Sequence, residues 1–373
     1  MSKPKILAYY LPAYHEIEEN NQWYGKGFTE WDNTKKGRPL FKKHYQPRIP
    51  EEYYDLNNID VVKKQMSMAK KYGVDGFIYY HYWFDENGKT VLQRPVEMMR
   101  RLKTEEKIEY CFCWANQSWK RTWGEVNVEE ELLIEQKYGT EKDWNNHFDY
   151  LFDFFVDDKY LKIDGKPVLF IYKPENIPHY DMMVKKFSEL AKQNGFEGIY
   201  FVRMMTEERV LDVKIDADSM VAFEPNYTIG SKMSKNIAAF WRIRTFLYWH
   251  IIRKTFISKM LCNTINYESF YNTLIKHQKM IIKNNSEAFI GGFSDWDNSP
   301  RKGRRGVIMK GTSPEKFKKK FSVLYKLALE NNIKVICTFA WNEWGEGGYL
   351  EPDKKYGTKY LEAISEVKME CDS

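Results

Sequence analysis

The chain has 373 residues, of which 43% are hydrophobic and 29% charged. That composition supplies a sizeable core and excludes a disordered, collagen-like or disulfide-scaffold chain. The formal net charge of +6 is mild for this length and gives no reason to expect nucleic acid as a partner.

The chain opens Met1-Ser2-Lys3-Pro4-Lys5 and runs into a short apolar stretch, without a signal-peptide core. No window of about 18 apolar residues exists, so no spanning helix is expected. Cys111 and Cys113 fall one residue apart in an apolar run, on one strand face, a poor geometry for a bridge. With Cys262, Cys337 and Cys371 the count is odd, and reduced thiols in a cytoplasmic protein are expected.

Eight short apolar, β-branched or aromatic runs follow in order, at 6–11, 74–80, 108–114, 167–172, 198–204, 219–223, 288–293 and 335–341. Runs of this kind suit strands buried on both faces. Helical stripes lie between them: Val62, Met66 and Ala69; then Phe187, Leu190 and Ala191 before Gly195; then Phe317, Phe321, Leu324 and Ala328 after the start signal Thr312-Ser313-Pro314-Glu315. Strand and helix alternating eight times predict an α/β fold, a (β/α)8 TIM-type barrel, with residues 1–373 as a single catalytic domain. A doubly wound sheet is the alternative, but no strand is followed by a Gly-rich phosphate loop.

Two segments exceed a minimal barrel. Residues 12–59 form an enlarged first βα loop. Residues 226–286 form an insertion after strand six, and 225–267 contain no acidic residue but many basic and aromatic ones. Basic charge with Trp and Tyr suits an anionic membrane surface, so 226–267 is expected to give weak membrane or oligomer contact, or else to pack on the barrel.

Barrel chemistry sits at the C-terminal strand ends. Read in order, those ends offer Tyr10; His81 and Tyr82; Trp114, Asn116, Gln117 and, just beyond, Trp119; Tyr172; Arg203; Glu224; Trp296 and Asp297; and Trp341, Asn342 and Trp344. The aromatic content is 16%. Aromatic faces beside hydrogen-bonding groups suit a sugar ring, so these residues are expected to bind substrate. The sharpest local signal is Glu343 and Glu346. Two carboxylates three residues apart face one cavity if the loop turns helically, and close carboxylates push their proton affinities apart into an acid and a base.

Other chemistries find less support. His81 is the histidine at a strand end, and no HxxxH or HxH spacing occurs, so no metal is expected. No Ser lies in G-x-S-x-G. Asp216-Ala217-Asp218 fits a D-x-D motif formally, but it precedes strand six, opposite the expected site.

Several motifs together carry a resemblance: Lys26-Gly27-Phe28-Thr29-Glu30-Trp31, His44-Tyr45-Gln46-Pro47-Arg48, Cys113-Trp114-Ala115-Asn116, Trp296-Asp297-Asn298, Ala340-Trp341-Asn342-Glu343-Trp344-Gly345-Glu346-Gly347 and Leu350-Glu351-Pro352-Asp353. They resemble the WbsX-like family of bacterial surface-polysaccharide proteins, which is similar to glycoside hydrolase family 99, the endo-acting α-mannosidases. The resemblance implies a (β/α)8 barrel and a carbohydrate-active enzyme needing no metal or other cofactor. It implies a retaining reaction through a 1,2-anhydro sugar, with Glu343 the base on the 2-hydroxyl and Glu346 the acid/base on the leaving oxygen. The family usually has Glu after Trp-Ala-Asn where this chain has Gln117, which bears on the substrate.

The expectation is therefore a retaining glycosidase or transglycosylase acting on an α-linked bacterial surface polysaccharide or its precursor. A glycosyltransferase in capsule or O-antigen assembly and a non-catalytic glycan-binding barrel are the alternatives. The expected partner is a glycan or lipid-linked glycan, the expected place the cytoplasm, with peripheral contact at the inner face of the plasma membrane left open.

Overall fold

The computed structural model describes residues 3–85, 87–121, 131–208, 213–231 and 262–372. Its centre is a parallel barrel of eight strands: β1 (Lys5–Tyr10), β2 (Gly76–His81), β3 (Glu109–Trp114), β4 (Lys166–Ile171), β5 (Tyr200–Met205), β6 (Ser219–Ala222), β7 (Ile290–Phe293) and β8 (Val335–Phe339). Strand order runs β7-β8-β1-β2-β3-β4-β5-β6, every pairing parallel. A parallel bridge between Val221 and Phe289 joins the two ends and nearly closes the barrel. Each strand coincides with one of the eight expected runs to within two or three residues, because strands covered on both faces need unbroken apolar sequence.

Helices cover the outside. Ile59–Lys71 starts where the Asn58 side chain accepts a hydrogen bond from the Asp60 amide, and buries Val62, Met66 and Ala69. Pro314–Glu330 starts at Ser313, whose hydroxyl caps the Lys316 amide, and buries Phe317, Phe321, Leu324 and Ala328. Tyr180–Gln193 buries Phe187 and Ala191. Among the described residues no helix is long and apolar enough to cross a membrane.

Residues 226–286 divide into parts. A short helix Asn226–Gly230 leaves β6, and Tyr267–Asn284 is the helix packed ahead of β7. The strand Asn263–Asn266 pairs in parallel with Val307–Lys310. The basic aromatic stretch at 232–261, and with it the expected membrane or oligomer contact, lies outside the described residues.

Three clamps fix the mouth of the barrel. Asn342 bonds both backbone groups of Leu11, accepting from its amide at 2.8 Å and donating to its carbonyl at 3.0 Å. Asn116 does the same to Lys173, at 2.8 and 2.7 Å. Glu351 is buried and accepts four hydrogen bonds, from Trp341 (3.0 Å), Trp344 (2.8 Å), Tyr54 (2.8 Å) and Gln65 (2.7 Å). Burial raises its carboxyl to about 7 against those four donors. The Glu351 hub ties the β8 loop to the first loop and to the Ile59–Lys71 helix. Replacing Glu351 with Ala strands four buried donors, so Glu351→Ala should cost about 3 kcal/mol or more in denaturant unfolding. Glu351→Gln, which keeps one acceptor oxygen, should cost less.

Candidate active site

After β8 the chain forms a small hairpin. Asn342 and Glu343 pair antiparallel with Tyr349 and Gly348, and Trp344–Glu346 is one 3-10 turn closed by Gly347 at φ +67°. Glu343 ends the paired strand just before this turn and Glu346 ends the turn, and both carboxylates line the same cavity. The Glu346 carbonyl accepts from the Asp297 amide at 2.7 Å, and Tyr14 Oη bonds Asn342 and Trp344 backbone groups at 2.7 and 3.0 Å.

One guanidinium joins the two carboxylates. Arg301 donates from Nη2 to Glu343 at 2.7 Å and from Nη1 to Glu346 at 2.7 Å. Glu30, from the first loop, takes Nη2 at 2.6 Å and Nε at 3.2 Å. Glu343 is 5% exposed, Glu30 9%, and Arg301 and Glu346 20% each. Burial raises the Glu343 carboxyl to about 8; Glu346 and Glu30 add to the rise and Arg301 opposes it. For Arg301, burial works against the charge, but the three carboxylates outweigh it and hold the guanidinium above its ordinary value.

Local sequence explains the meeting. Glu30 begins a short helix, Glu30–Lys35, where the Asp32 carboxylate accepts from the Thr29 amide at 2.8 Å. The next residue, Trp31, wedges between Tyr14, Tyr54 and Trp344, with ring centroids 4.3 to 5.8 Å away. Arg301 lies on the four-residue helix Ser299–Lys302. Asp297 pins that loop to the first loop by accepting from His44 Nε2 and Gln46, each at 2.7 Å. His44 Nδ1 accepts from the Leu40 amide, so the ring proton is on Nε2. Burial opposes the charge on Asp297, but these bonds and Arg48 hold its carboxyl below the ordinary value.

These groups form one wall of a cavity of about 410 Å³. Tyr80, Tyr82, Tyr172, Phe223 and Phe339 line it toward the barrel axis, and Asn20, Trp23, Tyr24, Phe28, Gln117, Trp119 and Lys120 line it toward the rim. Of the residues expected from sequence, the cavity gathers Glu343, Glu346, Tyr82, Gln117, Trp119 and Tyr172.

The other expected residues do not line it, for two reasons. The first is strand alternation. Tyr80 faces the cavity, so His81 points outward to a 2.9 Å contact with His147 Nε2; burial lowers His81 to about 3, so the ring is neutral. Tyr10 likewise points out, donating to Gln65 at 2.6 Å, and Trp114 donates to the Trp83 carbonyl at 3.2 Å. The second reason is that buried polar side chains are used up as framework. Asn116 and Asn342 are clamps described above, Asp297 pins the β7 loop to the first loop, and Trp341 and Trp344 serve Glu351. Arg203 donates to the Val213 carbonyl at 3.0 Å. Glu224 accepts from Thr228 and Gln278 and is raised by burial to about 8. Trp296 packs on Phe339, centroids 5.3 Å apart. Asp218 of the D-x-D motif bonds Lys166 and the Phe201 amide at the strand starts, away from the cavity.

Sequence reasoning missed Glu30, Arg301 and Tyr80. Glu30 stood inside a quoted motif, and Arg301 opens a basic cluster with Lys302, Arg304 and Arg305 just past strand seven. Glu343 also makes a stability prediction. Its folded value of about 8 exceeds the ordinary 4.5. The folded state therefore holds the proton more tightly, and its contribution is complete below about pH 4.5 and lost as pH rises through 8. The unfolding free energy of Glu343→Gln should gain on the natural chain between pH 5 and 8; a pH-independent difference would contradict this.

Residues 6–364 match the family described as "Glycosyltransferase WbsX". A relative from Xanthomonas campestris pv. campestris, "Uncharacterized protein WxcX", is 30% identical over 367 residues, covering 97% of this chain. The match covers 49% of that relative, so the chain spans about half the length of the curated relatives it matches. Among solved structures, the GH99 endo-alpha-mannosidase from Bacteroides thetaiotaomicron is similar with a TM-score of 0.56 at 14% identity, over 98% of this chain and 97% of that one. A structure described as "Glycoside hydrolase-like protein" gives 0.58 at 13% identity, over 98% and 94%. At such identities the likeness is one of fold. The family match runs nearly the whole length, and the chain belongs to the WbsX glycosyltransferase family of carbohydrate-active proteins.

Proposed function

We propose that the chain is a retaining glycosidase or transglycosylase acting on an α-linked bacterial surface polysaccharide or its precursor, free or lipid-linked. The observation that carries this reading is the pair Glu343 and Glu346 sharing one guanidinium on the wall of an aromatic cavity at the C-terminal mouth of the barrel.

In the first step Glu343 takes the proton of a sugar 2-hydroxyl. That oxygen forms a bond to its own anomeric carbon while the glycosidic bond breaks, and Glu346 gives its proton to the departing oxygen. In the second step water or an acceptor hydroxyl attacks the anomeric carbon and surrenders its proton to Glu346. The bond from O2 to the anomeric carbon then breaks, and Glu343 returns the proton to O2. High proton affinity suits Glu343 to a hydroxyl's proton, provided part of it is ionised at the working pH. Tyr80, Tyr82 and Tyr172 offer ring faces and phenol hydroxyls to the sugar.

Among the described residues, Glu30, Glu343 and Glu346 outnumber Arg301 on this wall, which stays negative with one of the pair protonated and so favours a neutral or amino sugar over a uronate or sugar phosphate at that position. The family description favours transfer over hydrolysis. An acceptor hydroxyl replacing water achieves transfer at the same two carboxylates.

The test is to incubate the protein with surface-polysaccharide oligosaccharides and α-glycosides and to follow products and anomeric configuration by NMR and mass spectrometry. Glu343→Gln and Glu346→Gln should each lower turnover about 10²- to 10⁴-fold. Because the base must be ionised, kcat/KM should climb with pH toward about 8, the value that burial gives Glu343. Undiminished turnover in either variant removes that carboxylate from the mechanism. Glycan binding without turnover, unaffected by both changes, would favour the non-catalytic barrel, and tight binding of a sugar nucleotide would favour a nucleotide-dependent transferase.

A further inference from the structure

Glu343 is a buried acid that has to lose its proton before it can accept another. The groups facing it come from five parts of the chain. Glu346 lies on its own loop, Glu30 and the Tyr14 phenol on the first loop, the phenols of Tyr80 and Tyr82 at β2, and Tyr172 at β4. Burial keeps all four phenols neutral, and both carboxylates disfavour a charge on Glu343. Among the described residues, Arg301 is the cation paired with it.

The geometry is specific to a guanidinium. Its Nη2 edge takes Glu343 and Glu30, its Nη1 edge takes Glu346, and Nε reaches back to Glu30. A lysine ammonium, a single point charge, lacks this fork. The chain also keeps space open for the group. A Cβ at Gly345 would lie 2.6 Å from Glu30 Oε1 and 3.0 Å from Arg301 Nε, so a side chain there would push the ion pair apart.

We propose that Arg301, anchored by Glu30, is the positioning residue that lets the buried Glu343 give up its proton and act as a base beside Glu346. The proposal rests on the reading of this pair as the working carboxylates. Arg301 holds both carboxylates at the spacing of its two terminal nitrogens and offsets part of the burial of Glu343. Glu30 balances the guanidinium and keeps it from swinging toward the rim.

The experiment is a pH titration of the protein labelled with 13C at the glutamate side-chain carboxyls, followed by NMR. Signals are assigned with Glu343→Gln and Glu346→Gln, and the fold of each variant is checked by circular dichroism. Arg301→Met should raise the Glu343 midpoint by about one pH unit or more, and Arg301→Lys by less. Glu30→Gln should lower it, because its amide oxygen still accepts from the guanidinium while a negative charge is gone. Opposite signs at the two positions are not expected of a merely structural pair. A midpoint unchanged in Arg301→Met, or raised in Glu30→Gln, overturns the proposal. Should Arg301→Met fail to fold, Arg301→Lys and Glu30→Gln decide by the same signs. The titration reads the carboxyls with or without turnover. Midpoints that move as stated while Glu343→Gln keeps its activity would sink the catalytic reading and leave the coupling intact.

Discussion

The site is organised by one guanidinium among three carboxylates. A buried ion is tolerated only when it is paired and hydrogen-bonded, and breaking such a pair costs more than forming it gains. Glu30, Arg301 and the Glu343/Glu346 pair come from three separate loops, after β1, β7 and β8. Each loop has to be in place for the charges of the others to be bearable. The clamps around the mouth follow from this demand. Asp297 ties the β7 loop to His44 and Gln46, Asn342 ties the β8 loop to Leu11, and Glu351 ties it to Tyr54 and Gln65.

The aromatic residues divide into three populations. Rings facing the barrel axis form a tight set, with Tyr9, Phe223 and Phe339 in contact, Tyr80 on one side and Tyr172 on the other. Rings facing outward, such as Trp83 and Trp114, pack against His147 in the helix layer. Tyr80, Tyr172, Phe223 and Phe339 of the first set line the cavity, with Tyr9 packed beside them, and the second set holds the helices to the sheet. A third group, Trp23, Tyr24, Phe28 and Trp119, stands at the rim, where the first loop meets the residues after β3. Under the proposed function, a glycan entering from solvent would pass that aromatic rim before reaching the carboxylates.

Burial also separates the two catalytic candidates. Glu343 and Glu346 share a cation, yet one is nearly closed off from water and the other is partly open. Burial raises the proton affinity of Glu343, and the shared Arg301 works against that rise. Here the inequality arises from the hairpin, which places Glu343 on a paired strand and Glu346 in the open turn.

Much of the fold was legible in the chain. Eight apolar runs with helical stripes between them point to parallel strands buried on both faces, and the lack of a Gly-rich phosphate loop turned the expectation from a doubly wound sheet to a barrel. The enlarged first loop and the Glu343/Glu346 pair were readable for the same local reason, since segment length and three-residue spacing need no knowledge of distant contacts. The remainder was decided by tertiary structure. Strand alternation selected Tyr80 and Tyr82 over His81, and in a run as uniformly aromatic as Tyr79-Tyr80-His81-Tyr82-Trp83 the sequence shows no phase. Asn116, Asp297 and Asn342 have the chemistry of sugar binders, but buried backbone groups and neighbouring side chains claim their hydrogen bonds. Arg301 and Glu30 became partners across 271 residues of chain. A buried ion pair of that separation has no local signature, because it exists only once the barrel has closed and brought the loops after β1 and β7 to the same wall.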